Sequence, residues 1–295
     1  PTFVEYILEP VMQMFCGYGE EDYSLAWLIW LMAGRFAWSN NWWTFEEGGV
    51  GRLPREMGDR LSAMPDVRIH CNTITTRVEP GDDGVVIAFE QGGQSHEQSF
   101  DGVVVAVPGS QVLPLMPTLG AEHRDFFYRV EYVGHHIIYA MLDLDGAIPE
   151  TSMLLPTAEG FRSLSNFHLT PTPDGHFLYG EIKGRRCAEL VGASDADIMA
   201  DALADLTRAL PEVTIRAVAD HYVQRNDIAL CRRHVGYTRA LATFKTLPPL
   251  PRVEFAGDYL LNSTVGQAHF TGLGAATRLT SRLDLARAQS AAASA

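Results

Sequence analysis

The stretch best equipped for chemistry lies near the C-terminal end. It reads Val253-Glu-Phe-Ala-Gly-Asp-Tyr, a short polar loop, then Val265-Gly-Gln-Ala-His-Phe-Thr-Gly-Leu-Gly-Ala-Ala. Val253, Phe255 and Ala256 form a brief apolar run that stops at Gly257-Asp258, the pattern of a buried strand ending in a turn. From Val265 onward the small residues Ala268, Gly272, Ala275 and Ala276 recur at helical spacing, and Leu279 and Leu283 continue the same side. So small a helix face lets a backbone or a flat ligand approach closely. A strand, an acidic turn and a helix start together present N–H groups and a carboxylate beyond the strand end, which suits an anion or an electron-rich ring edge.

The other candidates are weaker. Gly48, Gly49 and Gly51 precede a helical pattern, but no strand leads into them, so they are not a Gly-x-Gly-x-x-Gly dinucleotide fingerprint. His135 and His136 fall in an apolar run read as a strand, where neighbours face opposite sides and cannot share one metal. Cys16, Cys71, Cys187 and Cys231 are scattered without Cys-x-x-Cys or Cys/His ligand spacing, so reduced thiols and no metal site are expected.

Around these stand elements able to position them. Thr2–Phe15 is amphipathic, and Leu25–Phe36 is a helix apolar nearly all round, which is buried or lines an apolar cavity. Leu53, Met57 and Leu61 form the inward face of a further helix. Three strands are expected at Arg68–Val78, Val85–Phe89 and Asp101–Val107, with turns at Gly81-Asp-Asp-Gly and Gln91-Gly-Gly-Gln. A long strand from Val133 to Leu144 opens an antiparallel sheet continued by Gly160–Phe167, His176–Ile182 and Val213–Val223. Ser194 caps a helix to Leu210 with Ile198, Met199, Leu203 and Leu206 inward. The chain has 295 residues and is 46% hydrophobic, enough for two domains with a substantial core. Its net charge of −13 argues against nucleic acid or an anionic membrane as partner. No apolar run is long enough to span a bilayer and no signal peptide is present, so a cytoplasmic protein is expected.

The Val253–Leu283 stretch resembles the C-terminal FAD-binding motif of the flavin-containing amine oxidase and protoporphyrinogen oxidase-like superfamily. That motif is an apolar strand, Ala-Gly-Asp or Ala-Gly-Glu, a loop, and a helix opening around Gly-Ala. The resemblance implies that Gly257 and Asp258 stand by the ribityl-pyrophosphate portion of FAD. It sets Val265 and Ala268 at the pyrimidine edge of the flavin. Gln267 occupies a position the family usually gives to Gly, and its bulk would alter the approach to the ring. Gly48-Gly49-Val-Gly-Arg-Leu53 is similar to the family's Gly-Gly-x-x-x-Leu element beside the flavin. The strand backbone at Thr75 would meet the adenine. The helical N-terminal segment is similar to part of the substrate domain, which makes Trp27, Trp30 and Phe36 candidate pocket residues. Thr264 or Val265 stands where amine oxidases usually carry a cage aromatic, which shifts the expectation toward a hydrophobic substrate.

The fold implied is mixed α/β, the rear part of a two-domain FAD-binding oxidoreductase. A partial Rossmann-like FAD domain accompanies a substrate domain of antiparallel sheet and helices. The expected plan is a helical part of the substrate domain at 1–44 and an FAD-domain return segment at 45–110. The remaining substrate domain follows at 111–250, the closing FAD-binding strand and helix at 251–285, and a disordered tail at 286–295. Nothing in the sequence supplies the family's Gly-x-Gly-x-x-Gly βαβ unit, so an N-terminal half or partner chain is expected to complete the FAD site. The resulting expectation is oxidation or desaturation of a hydrophobic small molecule, or of an amine, by hydride transfer to flavin, with no catalytic acid or base identified. Two alternatives stand beside it: a flavin-free, inactive substrate-binding relative or scaffold, and an unrelated α/β enzyme. The second finds no Gly-x-Ser-x-Gly elbow, His-Glu-x-x-His helix or P-loop to support it.

Overall fold

A computed structural model describes residues 3–18, 23–29, 49–146 and 148–293. The strands are β1 (Thr73–Pro80), β2 (Val85–Gln91), β3 (Gln94–Phe100), β4 (Val103–Val105), β5 (Tyr132–Val133) and β6 (Ile137–Leu144). They continue as β7 (Thr151–Leu154), β8 (Leu164–Thr172), β9 (Gly175–Ile182), β10 (Ile215–Gln224), β11 (Leu230–Cys231) and β12 (Val253–Phe255). The main sheet is antiparallel with order β10-β6-β9-β8-β7, and β1-β2-β3 form a smaller antiparallel sheet.

One face of the main sheet makes the larger core. Ile138, Leu142, Leu164, Leu169 and Leu178 are fully buried there against Ile198, Ala202 and Leu206 of the Asp195–Ala209 helix. Each such side chain contributes about 1.5–3 kcal/mol of burial. That helix starts as its sequence predicts: Ser194 Oγ accepts from the Asp197 amide at 3.2 Å, and Asp197 accepts from the Ser194 amide in return. Asp205 on its buried side accepts from the backbone amides of Arg162, Ser163 and Leu164, which fixes the start of β8.

The second core joins residues 78–130 to residues 231–260. β4 and β12 pair in parallel, Val103 opposite Val253 and Val105 opposite Phe255. Val78, Val85, Phe126, Phe127, Tyr237 and Tyr259 pack around them. The closing helix Val265–Ala293 buries Ala275 and Leu279 on this pair, and a Cβ at Gly102 would stand 3.0 Å from Leu279. Glu254, buried in β12, receives Arg278 at 2.8 Å and Arg282 at 2.6 Å, locking helix to strand.

Several expectations need correction. β3 is an additional strand whose seven residues are all exposed; Gln-Ser-His-Glu-Gln-Ser-Phe has no apolar alternation to announce it. The expected Val133–Leu144 strand is broken, so His135 and His136 lie between β5 and β6. They still find different partners: His135 meets Glu181, and His136 accepts from the Asn226 amide. Leu53, Met57 and Leu61 of the Arg52–Ser62 helix are 38–43% exposed, not inward, because no described element covers that face. Tyr237–Thr246 form a helix that buries Tyr237 and Leu241 in the second core. The expected disordered tail is helical to Ala293, in keeping with the high helix propensity of its alanines. Among the described residues no helix is long and apolar enough to cross a membrane.

Candidate functional site

The parallel strands β4 and β12 both end at one spot, and the closing helix begins there. Between them lies a cavity of about 390 Å³. Gly257, Asp258, Thr264, Val265 and Ala268, separated by up to eleven positions, all line it. Pro108 from the end of β4 and Tyr132 from β5 complete the near wall. The backbone turns out of β12 at Gly257 with φ 152°, and a Cβ there would sit 2.4 Å from the Tyr259 ring, so only glycine fits.

The Asp258 carboxylate is held from two sides. Tyr132 donates to Oδ1 at 2.6 Å and Ser263 donates to Oδ2 at 2.9 Å. Tyr132 in turn accepts from the Gly109 amide at 3.2 Å, so β4, β5 and the acidic turn share one network. Burial, and then the bond to Asp258, push the Tyr132 phenol well above its usual range, which keeps it protonated as donor. The Ser263 hydroxyl also accepts from the Cys231 amide. Thr271 Oγ1, one turn up the closing helix from Ala268, accepts from the Gly257 amide and pins the turn against the helix. The first amides of a helix have no acceptor within it, and the helix start at Val265 lies at the cavity, where the helix dipole favours negative charge. The Gln267 amide donates to Thr264 Oγ1 at 3.2 Å. The Gln267 side chain is not among those that line the cavity.

Arg233 is a residue the sequence did not flag. It is 2% exposed and donates to the carbonyls of Asp258 and Tyr259, at 2.7 and 2.8 Å, from behind the turn. Its guanidinium lies between the rings of Trp27 and Tyr237, each 4.7 Å away. Trp27 therefore packs in a cluster with Met12, Tyr18 and Tyr23 behind the turn and is not on the cavity wall. Thr75 is half-buried in β1 and Gly49 is exposed with φ 53°; neither lines the cavity. Gly48, Trp30 and Phe36 lie outside the described residues. A larger hollow of about 570 Å³ opens between β12, the closing helix and residues 247–250. It contains none of the sequence candidates, and its main charges, Glu254, Arg278 and Arg282, are paired with one another.

A strand-end cavity faced by a helix start is the binding crevice of open α/β sheets. The class this defines is made specific by comparison. The chain belongs to the flavin containing amine oxidoreductase family, whose model matches residues 2–280. It is also similar to a crystal structure from Exiguobacterium sp. 255-15, provisionally described as a protoporphyrinogen oxidase, with a TM-score of 0.71 at 15% identity. The alignment covers 96% of this chain and 64% of that one, so this chain spans less than two thirds of the length of the protein it matches. No curated protein matches it significantly.

The family's flavin can be tested against the donor set. A carboxylate fixed by two hydroxyls, helix-start amides and the small side chains of Ala106, Ala229 and Ala268 suit the polar edge of a flat ring and its hydroxylated tail. No Gly-x-Gly-x-x-Gly occurs in the sequence, so the fit is to the ring end of such a cofactor and not to its phosphates.

Proposed function

We propose that this chain is the region of an FAD-dependent oxidoreductase that holds the flavin end of the cofactor and the substrate. The observation that carries this is the gathering of Gly257, Asp258, Thr264, Val265 and Ala268 around one cavity at the ends of two parallel strands. Asp258 stands for the ribityl-pyrophosphate side, and the helix start around Val265 and Ala268 for the pyrimidine edge. Gly48, Gly49 and Thr75 are retained as candidate contacts toward the rest of the cofactor. When bound, the flavin supplies a two-electron acceptor for hydride from a C–N or C–C bond. The chain's own residues orient it, and Tyr132 and Ser263 keep the Asp258 carboxylate aimed. The substrate is a hydrophobic small molecule or an amine, with Trp30, Phe36 and Thr264 as candidate pocket residues. The four free thiols suit a cytoplasmic setting.

The phosphate-binding βαβ unit comes from an N-terminal segment or a partner chain. Two features support this. Among the described residues β4 pairs only with β12, and a two-stranded parallel sheet is too small to stand alone. The apolar face of the Arg52–Ser62 helix and the exposed Val265, Phe270 and Leu273 also lack cover among the described residues. One observation favours a flavin-free relative instead: each Asp258 oxygen already accepts one hydrogen bond from within the chain. Titration with FAD, followed by flavin fluorescence, separates the two readings. Binding that is weak for the chain alone and becomes stoichiometric when a βαβ-bearing partner is supplied supports the flavoenzyme; no binding in either case supports the relative.

A further inference from the structure

The hollow of about 570 Å³ between β12, the closing helix and residues 247–250 shares no lining residue with the Asp258 cavity. All three residues of β12 line it and none of β4 does, so it lies on the side of the strand pair away from β4. Its walls are largely apolar. Phe244, Leu247 and Leu250 come from the Tyr237–Thr246 helix and the segment after it, Leu260 and Leu261 from the turn after β12, and Phe270 from the closing helix. Pro248 and Pro249 form part of the same wall; paired prolines fix φ and carry no N–H, which keeps that wall stiff and without donors.

The charges at this hollow do not cancel. Lys245, Arg278 and Arg282 face a single carboxylate, Glu254, in a chain whose net charge is −13. Both Glu254 oxygens are taken: Oε1 accepts from Arg282 Nη1 at 2.6 Å, and Oε2 from Arg278 Nε and Nη2 at 3.1 and 2.8 Å. The other Arg282 nitrogens reach the carbonyls of Pro251 and Val253. Arg278 Nη1 has no acceptor among the described residues. A Cβ at Gly274 would crowd it at 3.1 Å, so the glycine leaves that nitrogen open to the hollow. Lys245 likewise has no hydrogen-bond or ion-pair partner among the described residues. Burial, and then the charges of Arg233 and Arg278, pull its ammonium below the usual lysine range, and no carboxylate is among the groups acting on it. His123, the remaining titratable group on the wall, is pulled down by burial and is neutral near pH 7.

We propose that this hollow is a binding site for a small anion with an apolar body, a carboxylate carried on a hydrocarbon. Lys245 and Arg278 receive the carboxylate, and Phe244, Leu247, Leu250 and Phe270 receive the apolar part. The hollow has the size of a small-molecule site, with mostly apolar walls and a few converging polar groups. A neutral or cationic guest would leave the two cations unmatched, whereas an anion offsets both. A strand added to the free edge of β4 leaves the hollow open, because β4 is not part of its wall. The inference does not depend on the flavin reading.

The test uses the chain without flavin. Calorimetric titration with octanoate, 1-octanol and octylammonium varies the head group on one tail. Octanoate should bind at least about tenfold tighter than 1-octanol, and octylammonium no tighter than the alcohol. Acetate, the head group alone, should bind at least about tenfold more weakly than octanoate. Lys245→Met keeps the stem and removes the charge at an exposed helix position; it should lower the preference for octanoate several-fold without weakening 1-octanol. Phe270→Ala, at a side chain 65% exposed, should weaken octanoate and 1-octanol alike, several-fold. Equal or unmeasurable binding of the three octyl probes overturns the proposal, as does an unchanged preference in Lys245→Met or unchanged affinities in Phe270→Ala. Loss of octanoate binding when a βαβ-bearing partner is added also overturns it, since the hollow is then that partner's seat.

Discussion

Tyr132 makes the energetics of the cavity concrete. Its hydroxyl joins the Gly109 amide to the Asp258 carboxylate, so Tyr132→Phe leaves both without that partner. A hydrogen bond to a charged group contributes about 1.5–3 kcal/mol, and a loss near the lower end is expected because Asp258 is only partly buried and keeps Ser263. Thermal unfolding should shift down by about 2–4 °C. Glu181 gives a pH-dependent case. Burial opposes its ionisation, but the hydrogen bonds it accepts from His135, Tyr179 and Asn166 hold its carboxyl below the ordinary range in the folded chain. Its contribution is thus present above the unfolded value, near pH 4–5, and is lost as pH falls through the folded one. The stability gap between wild type and Glu181→Gln, measured by denaturant midpoints, should therefore be widest near neutral pH and close below about pH 4. The thiols behave differently from each other. Burial pushes Cys187 and Cys231 up to about 11, whereas Cys71 is exposed. A maleimide on the folded protein should label Cys71 alone, read by intact mass, with the buried three reacting only after unfolding.

At the scale of elements, the strands that pair on apolar residues were legible because burial on one face writes a period of two into the sequence, as in β6 and β9. The Ser194 cap and the Gly257-Asp258 turn were legible because each depends on chemistry within a few residues. β3 was not, since an all-polar edge strand is held by its ladder to β2 rather than by any pattern of its own. The Glu181–Asn166 pair was also hidden, because only the register of β8 against β9 brings the two together, fifteen positions apart. Arg233 was hidden for the same reason: its partners Trp27 and Asp258 lie far from it along the chain. The Arg52–Ser62 helix is the instructive case. Its apolar stripe is real, but the described residues offer nothing for it to face. Met57→Glu should move the unfolding midpoint of this chain by no more than about 0.5 kcal/mol, since Met57 is 43% exposed. If the stripe seats a partner, the same change should weaken flavin uptake in the partner's presence.

Among the described residues the packing falls into two large clusters, joined by short strands, and a small third one around Met12 and Trp27. One core holds the main sheet; the other gathers β4, β12 and the closing helix around the cavity. Tyr132 and Ile228, at the ends of segments running into and out of the main sheet, bring the two together at Asp258. Under the proposed function the cavity beside Asp258 is the flavin crevice. The most direct measurement is the visible absorbance spectrum, with intact mass, of the protein purified from its natural source. A yellow protein whose flavin travels with a longer chain or with a second polypeptide, and which loses colour when Asp258 is replaced by alanine, is the predicted result. A colourless protein that takes up no FAD even with a βαβ-bearing partner present would contradict the account.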